Sequence, residues 1–388
     1  MSVADLPSLG RAEAAAPFEA AVAGTLKPLG EARHAPGAVY GSRRVFELEK
    51  QKIFMREWLC VARGEEVANP GDYMTFRVLD EPFVVARNEE GAINAFANVC
   101  AHRGVQVATG EGNAKEFSCP YHGWLYDLNG RLVGAPYMQE AEGFDPDSCR
   151  LKRLRVGEWG GWVFVNFDSE AEPLESFLAE FAADFGFLQP QNCRIGHKFT
   201  IDWKCNWKFV IENLHDVYHF KTVHAQTFAD QVTEADQFKF RLRRRGGSFS
   251  RYSGVSFTPD GNPRVGILPW LAGEPEDFAV FGLLAPNFHI LGRRDFIRPY
   301  FIWPIAPDTS RAVIYHLFDK DEVEKPGFSA RADVYFEWYK KIYVEDISVV
   351  EALQRITESS WFMAERMSKM EAAIHHFITG HIERLMAP

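Results

Sequence analysis

The sequence predicts an α+β protein in two parts, a small all-β module followed by a larger part in which helices pack on an antiparallel sheet. Two observations carry that expectation. Between about residues 58 and 166, short runs rich in β-branched and aromatic residues alternate with turn-formers such as Asn69-Pro70-Gly71 and Glu90-Gly91. Beyond the Gln189-Pro190-Gln191-Asn192 loop, longer strand-like stretches stand between helical patterns instead. The length agrees: 388 residues suit about two domains at roughly 100–200 residues each, and a 46% apolar content lets each bury a core.

Taken in order, a helical pattern covers residues 42–58, with Val45, Phe46, Leu48, Ile53, Phe54 and Trp58 on a broad apolar face. Strands are expected at 58–62, 73–78, 83–86, 93–98, 123–127, 131–133 and 161–166, with Asn129-Gly130 as a tight hairpin turn. A helix at 174–185 marks the boundary. A helix over 206–219 follows, then strands near 279–284 and 296–303, and closing helices at 330–357 and 362–385. The expected domains are an N-terminal arm of the catalytic part (1–44), the β module (45–168) and the α+β part (169–388).

A net charge of −10 argues against nucleic acid, because phosphate binding needs a basic face and the run Arg241-Leu242-Arg243-Arg244-Arg245 is too short to reverse the balance. No window approaches 18 uninterrupted apolar residues, so no membrane span is expected. The first thirty residues lack a basic stretch leading into an apolar core, so they read as no secretory signal. The six cysteines are therefore expected reduced in the cytoplasm.

Cys100 and Cys119 stand out by their neighbours. Cys100-Ala101-His102-Arg103-Gly104 and Cys119-Pro120-Tyr121-His122-Gly123-Trp124, with sixteen residues between His102 and Cys119, form two loops, each with one thiol and one imidazole. Tetrahedral zinc takes two Cys and two His; a Rieske 2Fe–2S cluster takes two Cys on one iron and two His on the other. Zinc fingers usually separate a Cys pair from a helical His pair, whereas here each loop is mixed and lies in a β-rich module, which favours the cluster.

A second constellation lies at Glu212-Asn213-Leu214-His215-Asp216-Val217-Tyr218-His219, continuing to His224. His219 and His224 are five apart, about 140° apart on a straight helix, so they can share a metal only where the helix ends or bulges. Two histidines and one carboxylate would make a facial triad for Fe(II) with positions open to O2. Asp216 lies three residues before His219 on the same helical face, placed to bond the far ring nitrogen.

The two Cys-His loops, together with Asp216-x-x-His219-x-x-x-x-His224 led in by Glu212-Asn213, resemble the Rieske non-haem iron oxygenases, and the likeness runs through nearly the whole chain. The resemblance implies a helix-grip catalytic domain. It implies a 2Fe–2S cluster on Cys100, His102, Cys119 and His122, and a mononuclear Fe(II) on His219, His224 and a late helical aspartate, Asp346. That aspartate sits in Glu345-Asp346-x4-Glu351-x-x-Gln354, with Glu345 and Glu351 as competitors. Asp216 is then the link toward a Rieske histidine of the neighbouring subunit in a homotrimer, Asn213 a further catalytic residue and His215 a pocket or support residue. His375 and His376 are read as packing residues of the closing helix.

The chain has no dinucleotide fingerprint and no plant-type ferredoxin run. The resemblance therefore implies a terminal oxygenase fed by a separate NAD(P)H-dependent reductase, with or without a ferredoxin, that hydroxylates, dihydroxylates or demethylates a small organic substrate. An aromatic compound or aromatic acid is the first choice, because amine-oxidising members often carry Glu where Asp216 stands. Arg293-Arg294 with Arg298 and the run 241–245 would clamp a carboxylate if buried, or meet a ferredoxin or water if exposed. A quaternary ammonium compound in an aromatic cage is the alternative. A Rieske electron carrier without oxygenase activity is the reading from another class.

Overall fold

The structure, a computed structural model, describes residues 17–227 and 238–387. The first sixteen positions, part of the expected arm (1–44) and of the stretch read as no secretory signal, lie outside the described residues. The chain divides into Phe54–Ser176 on one hand and Met1–Ile53 with Phe177–Pro388 on the other.

The smaller unit is all β. β1 (Leu59–Arg63) pairs with β10 (Trp162–Asn166), which pairs with β9 (Arg155–Trp159). A second sheet runs β4 (Ile93–Ala97), β3 (Glu81–Arg87), β2 (Asp72–Val78), β5 (Glu111–Asn113). A third runs β6 (Glu116–Ser118), β7 (Leu125–Asp127), β8 (Leu132–Gly134). One apolar cluster built on Val84, Phe96, Phe117, Trp124, Tyr126 and Leu151 includes both Cys100 and Cys119. The Asn129-Gly130 turn between β7 and β8 needs its glycine: φ is +76°, and a Cβ there would meet the Phe96 ring at 2.6 Å.

The larger unit carries a seven-stranded antiparallel sheet in the order β11, β17, β16, β15, β14, β13, β12. These strands span Cys193–Trp203 (β11), Lys239–Arg243 (β12), Gly247–Ser253 (β13), Phe278–Leu284 (β14), Phe288–Arg293 (β15), Ile297–Ala306 (β16) and Thr309–Asp319 (β17). Its helices are α1 (Phe18–Val22), α2 (Ala38–Gly41), α3 (Arg43–Glu49), α4 (Leu174–Phe185, inside which the division falls), α5 (Trp207–His215), α6 (Phe220–Val223), α7 (Lys320–Val323), α8 (Phe328–Ile356) and α9 (Ala372–Met386). α8 packs on β11, α5 on β16 and β17, and α9 on β12 and β13. α8 buries Phe328, Ala332, Tyr335, Tyr339, Ile342, Asp346 and Val350. Their three- and four-residue spacing makes one stripe of a 3.6-residue helix, and the single charge in it is Asp346.

Four expectations are corrected. The helix expected over 42–58 is α-helical only as α3, continues as a π turn at Lys50–Phe54 and stops there. It belongs with the larger unit, not the β module expected from residue 45. The reason is Glu49, buried with Lys208 Nζ at 2.5 Å, Trp207 Nε1 at 2.9 Å and His381 Nε2 at 3.0 Å, which ties α3 to α5 and α9. The helix expected to reach 219 ends at His215. The last helix starts at Ala372 rather than 362, after a capping box in which Ser368 and Glu371 satisfy each other's backbone N–H. Among the described residues no helix is long and apolar enough to cross a membrane.

Candidate metal centres

The two Cys-His loops are built alike. In the first, Cys100 N–H donates to Val105 O and Gly104 N–H returns to Cys100 O at 2.9 Å. In the second, Cys119 N–H donates to Trp124 O and Gly123 N–H returns to Cys119 O at 3.0 Å, closing the β6–β7 hairpin. Both returns need a left-handed residue, and Gly104 (φ +79°) and Gly123 (φ +68°) supply it. The result sorts the donors by depth: both thiols are buried, both imidazoles exposed. His102 Nδ1 and His122 Nδ1 face each other at 3.0 Å, and Trp124 stacks on the His102 ring.

Tyr126, which sequence reasoning missed, puts its hydroxyl 3.2 Å from Cys100 Sγ while accepting from Ala101 N–H at 3.0 Å. That arrangement leaves its proton for the sulfur. The cage is not a single-ion one. Among the described residues, the group of three or more His, Cys, Asp or Glu whose ligand atoms all lie within 4.8 Å of one another is His219, His224 and Asp346. Tetrahedral zinc would bring its four donors that close, whereas two bridged irons spread them.

In the larger unit, the end of α5 solves the angular problem of His219 and His224. Asp216 leaves the helix in an extended conformation and its Oδ1 accepts from Tyr218 N–H at 2.8 Å. Asp216 thus reaches His219 through a turn, not along a shared helical face: Oδ2 lies 3.3 Å from His219 Nδ1. The one-turn α6 then separates the histidines, whose Nε2 atoms approach to 3.1 Å. Asp346 Oδ1 lies 3.4 Å from His219 Nε2 and 3.1 Å from His224 Nε2. Behind His224 stands Glu345, unassigned from sequence except as a competing ligand. Its Oε2 accepts from His224 Nδ1 at 2.8 Å and from Thr227 Oγ1 at 2.7 Å.

Each histidine is therefore backed by a carboxylate at Nδ1 and turns Nε2 toward Asp346. The residues fit a cation. Asp346 Oδ1 is buried with no hydrogen bond among the described residues, the state of a lone pair waiting for a metal. Burial works against a charged His219, yet Asp216 and Asp346 raise its imidazole to about 9. Burial likewise raises the Asp346 carboxyl, but the two imidazoles bring it below its ordinary value. A site that stabilises both a buried cation and a buried anion is suited to a divalent ion on two neutral imidazoles and a carboxylate.

A cavity of about 730 Å³, counting its open mouth, adjoins the triad. His219, His224 and Asp346 line it with Asn213, the aromatic rings of Phe220, Phe281 and Tyr300, and the arginines 293 and 298. His215 does not line it. Burial drives the His215 imidazole to about 4, its Nδ1 donates to Ile211 O, and its ring supports that of His289 in the wall. Both arginines are buried, 3% and 0% exposed, so they are neither a ferredoxin-facing nor a solvated group. The run 241–245 lies elsewhere: Arg243 forks onto Asp184 at 2.7 and 2.9 Å, and Arg241 joins it at 3.2 Å. His375 and His376 bond backbone carbonyls of Lys27 and Arg243.

A model of the ring hydroxylating alpha subunit catalytic domain matches residues 190–387, and one of the Rieske [2Fe-2S] domain matches 57–152. The chain belongs to the Rieske non-haem iron oxygenases. As a Rieske oxygenase it carries a 2Fe–2S cluster and a mononuclear iron and uses O2, which sets aside the carrier reading. It is 31% identical over 362 residues to the carnitine monooxygenase oxygenase subunit of Acinetobacter pittii (strain PHEA-2), covering 91% of this chain and 93% of that one. It is 28% identical over 421 aligned positions to the glycine betaine monooxygenase oxygenase subunit of Pseudomonas aeruginosa (strain UCBPP-PA14), covering 100% and 96%. Among solved structures, a quaternary ammonium Rieske monooxygenase in complex with L-carnitine superposes with a TM-score of 0.75 at 26% identity, covering 92% of this chain and 96% of that one. These likenesses favour the quaternary ammonium alternative over the aromatic first choice. The aspartate at 216 pointed the other way.

Proposed function

We propose that this terminal oxygenase oxidises a small quaternary ammonium compound. The observation that carries the reading is its likeness, over nine-tenths of its length, to oxygenase subunits named for carnitine and glycine betaine. The cavity supports it: Phe220, Phe281 and Tyr300 offer π faces to a cation beside the carboxylate of Asp346.

In this reading Cys100 and Cys119 hold the inner iron of the cluster and His102 and His122 the outer one, while His219, His224 and Asp346 hold the mononuclear iron. When bound, the cluster delivers single electrons and the mononuclear iron activates O2. The protein's own work is to orient those groups. Tyr126 donates to Cys100 Sγ. Glu345 accepts from His224 Nδ1 and Asp216 faces His219 Nδ1 at 3.3 Å, so that both rings turn Nε2 toward Asp346. Asp216 also serves as the link to an exposed Rieske imidazole of a neighbouring subunit in a homotrimer. A separate NAD(P)H-dependent reductase supplies the electrons. Asn213, in the cavity wall, positions substrate.

The test is O2 uptake by the iron-loaded protein with a surrogate reductase, across carnitine, γ-butyrobetaine, glycine betaine, choline and benzoate. Stimulation by at least one of the quaternary amines and not by benzoate is the expected result. Stimulation by benzoate alone overturns the reading.

A further inference from the structure

The chemistry of the cavity wall away from the iron ligands points to what else the substrate carries. Arg298 stands in β16, in the middle of the sheet, and is fully buried. Its guanidinium is packed against the rings of Tyr339 at 4.0 Å, Phe257 at 4.3 Å and Phe296 at 5.1 Å. Nε–H donates to His316 Nε2 at 3.0 Å. His316 accepts that bond because it is neutral: burial and the neighbouring guanidinium hold its imidazole well below the ordinary value. The ring stacking fixes the plane and the Nε bond fixes the rotation. Both Nη atoms, buried in the wall of the cavity, have no hydrogen bond among the described residues.

A buried guanidinium always carries its charge, and a buried charge with two idle donors demands an anion. Arg293 next to it makes the contrast. It also lines the cavity, but donates to Val255 O, Gly292 O and Tyr252 Oη, so each of its three nitrogens is engaged by the protein. Among the described residues, Asp346 is the one acidic side chain that lines the cavity. Tyr339 and Asp346 lie on one wall, seven residues and so about 10 Å apart along α8. Among the described residues the cavity is thus polarised, with one carboxylate beside the two histidines and, about two helical turns away, a guanidinium whose Nη atoms make no hydrogen bond.

We infer that Arg298 is a carboxylate-binding residue, and that the substrate is a zwitterion whose carboxylate docks bidentately on its two Nη atoms while the quaternary ammonium end lies toward the iron ligands. The inference rests on the proposed quaternary ammonium reading for the identity of the cationic end, though not for the carboxylate. It also makes choline, which lacks the anion, a poor substrate. His316 is a positioning residue, because it acts only through Arg298.

The experiment is calorimetric titration of the iron-loaded protein, kept anaerobic, with two matched pairs: γ-butyrobetaine against its methyl ester, and benzoate against benzamide. The expected result is that γ-butyrobetaine binds about 100-fold or more tightly than its ester, and that Arg298→Met abolishes the difference. Arg298→Lys, which keeps the charge but loses the fork, should retain a reduced preference, and it carries the test if Arg298→Met does not fold. Equal binding of acid and ester by the wild type overturns the inference, as does a preference that survives Arg298→Met. Absence of binding by both acids overturns it too. If γ-butyrobetaine fails to bind but benzoate binds in an Arg298-dependent way, the quaternary ammonium reading falls and the carboxylate site stands.

Discussion

Replacing Glu345 by Ala removes the group that holds His224 in its metal-facing tautomer. The carboxylate accepts from His224 Nδ1 at 2.8 Å and from Thr227 Oγ1 at 2.7 Å, and its side chain is 21% exposed. Without it, nothing fixes the imidazole proton on Nδ1, and a proton on Nε2 blocks the ligand atom. Hydrogen bonds to charged groups are worth about 1.5–3 kcal/mol. Loss of such a supporting partner typically costs 10–100-fold in metal affinity, about 1.4–2.7 kcal/mol. Glu345→Gln keeps an acceptor oxygen and should fall below that range. Asp216 faces His219 at a longer 3.3 Å, so Asp216→Asn should cost less iron than Glu345→Ala while slowing single-turnover reduction more. The assay is anaerobic competition for iron against a chelator, with acid-labile sulfide and the visible spectrum read in parallel. Iron should fall from about three per two sulfides toward two as the mononuclear ion leaves, with cluster absorbance unchanged. Wild-type iron retention in Glu345→Ala refutes the reasoning, as does a cluster lost in step with the iron.

Three further outcomes follow from buried charges. Asp346→Ala should empty the mononuclear site and abolish turnover while leaving the Rieske spectrum intact, measured by metal analysis and absorbance; retained iron would move the ligand role to another carboxylate. Glu49→Gln leaves Lys208 charged and unpaired in the core, a loss of about 3–5 kcal/mol that thermal unfolding should report, whereas replacing Glu49 and Lys208 together by Leu and Met should lose far less. Burial alone would raise the Glu49 carboxyl, but Lys208 and His381 bring it down to about 2. A lowered carboxyl stabilises above its unfolded value near 4.5, so this contribution should fade as pH drops from about 4.5 toward 2 and be missing in Glu49→Gln. Glu212 has the opposite sign. Burial raises it to about 7 although Tyr40 Oη donates to it at 2.7 Å, so the folded state holds a proton the unfolded chain has lost and stability should fall as pH rises from about 4.5 to 7. Glu212→Gln should flatten that slope; an unchanged pH profile of Tm would show that Glu212 is ionised throughout.

The parts of the site legible in the sequence are those whose chemistry is written in spacing. Two mixed Cys-His loops with a glycine after each histidine specify paired tight turns, and the turns alone put thiols inside and imidazoles outside. Asp346 also leaves a mark, since it falls on the apolar stripe of α8, where a charge needs a partner. The supporting residues leave none. Glu345 is one position off that stripe, and only the approach of α6 turns it from an ordinary helical acid into the base behind His224. The end of α5 at His215 is equally hidden, because no glycine or proline marks it; Asp216 spends Oδ1 on the Tyr218 N–H and breaks the helix itself.

Long-range pairing explains the remaining misses. α3 reads as part of the β module because its neighbours in sequence are strands, yet Glu49 pairs with Lys208, 159 positions away, and His381, 332 away. Arg298 shows the same limit at the functional level. From the sequence it is a carboxylate clamp if buried and a ferredoxin-facing or solvated charge if exposed, the commoner case for an arginine, and Phe296-Ile297-Arg298-Pro299-Tyr300 does not choose between them. Its meaning depends on His316 from β17 taking one donor and Tyr339 from α8 covering its face. A sequence can show that a cation lies in an apolar run. Whether that cation is a surface charge or a receptor is decided by which of its donors the rest of the fold leaves unused.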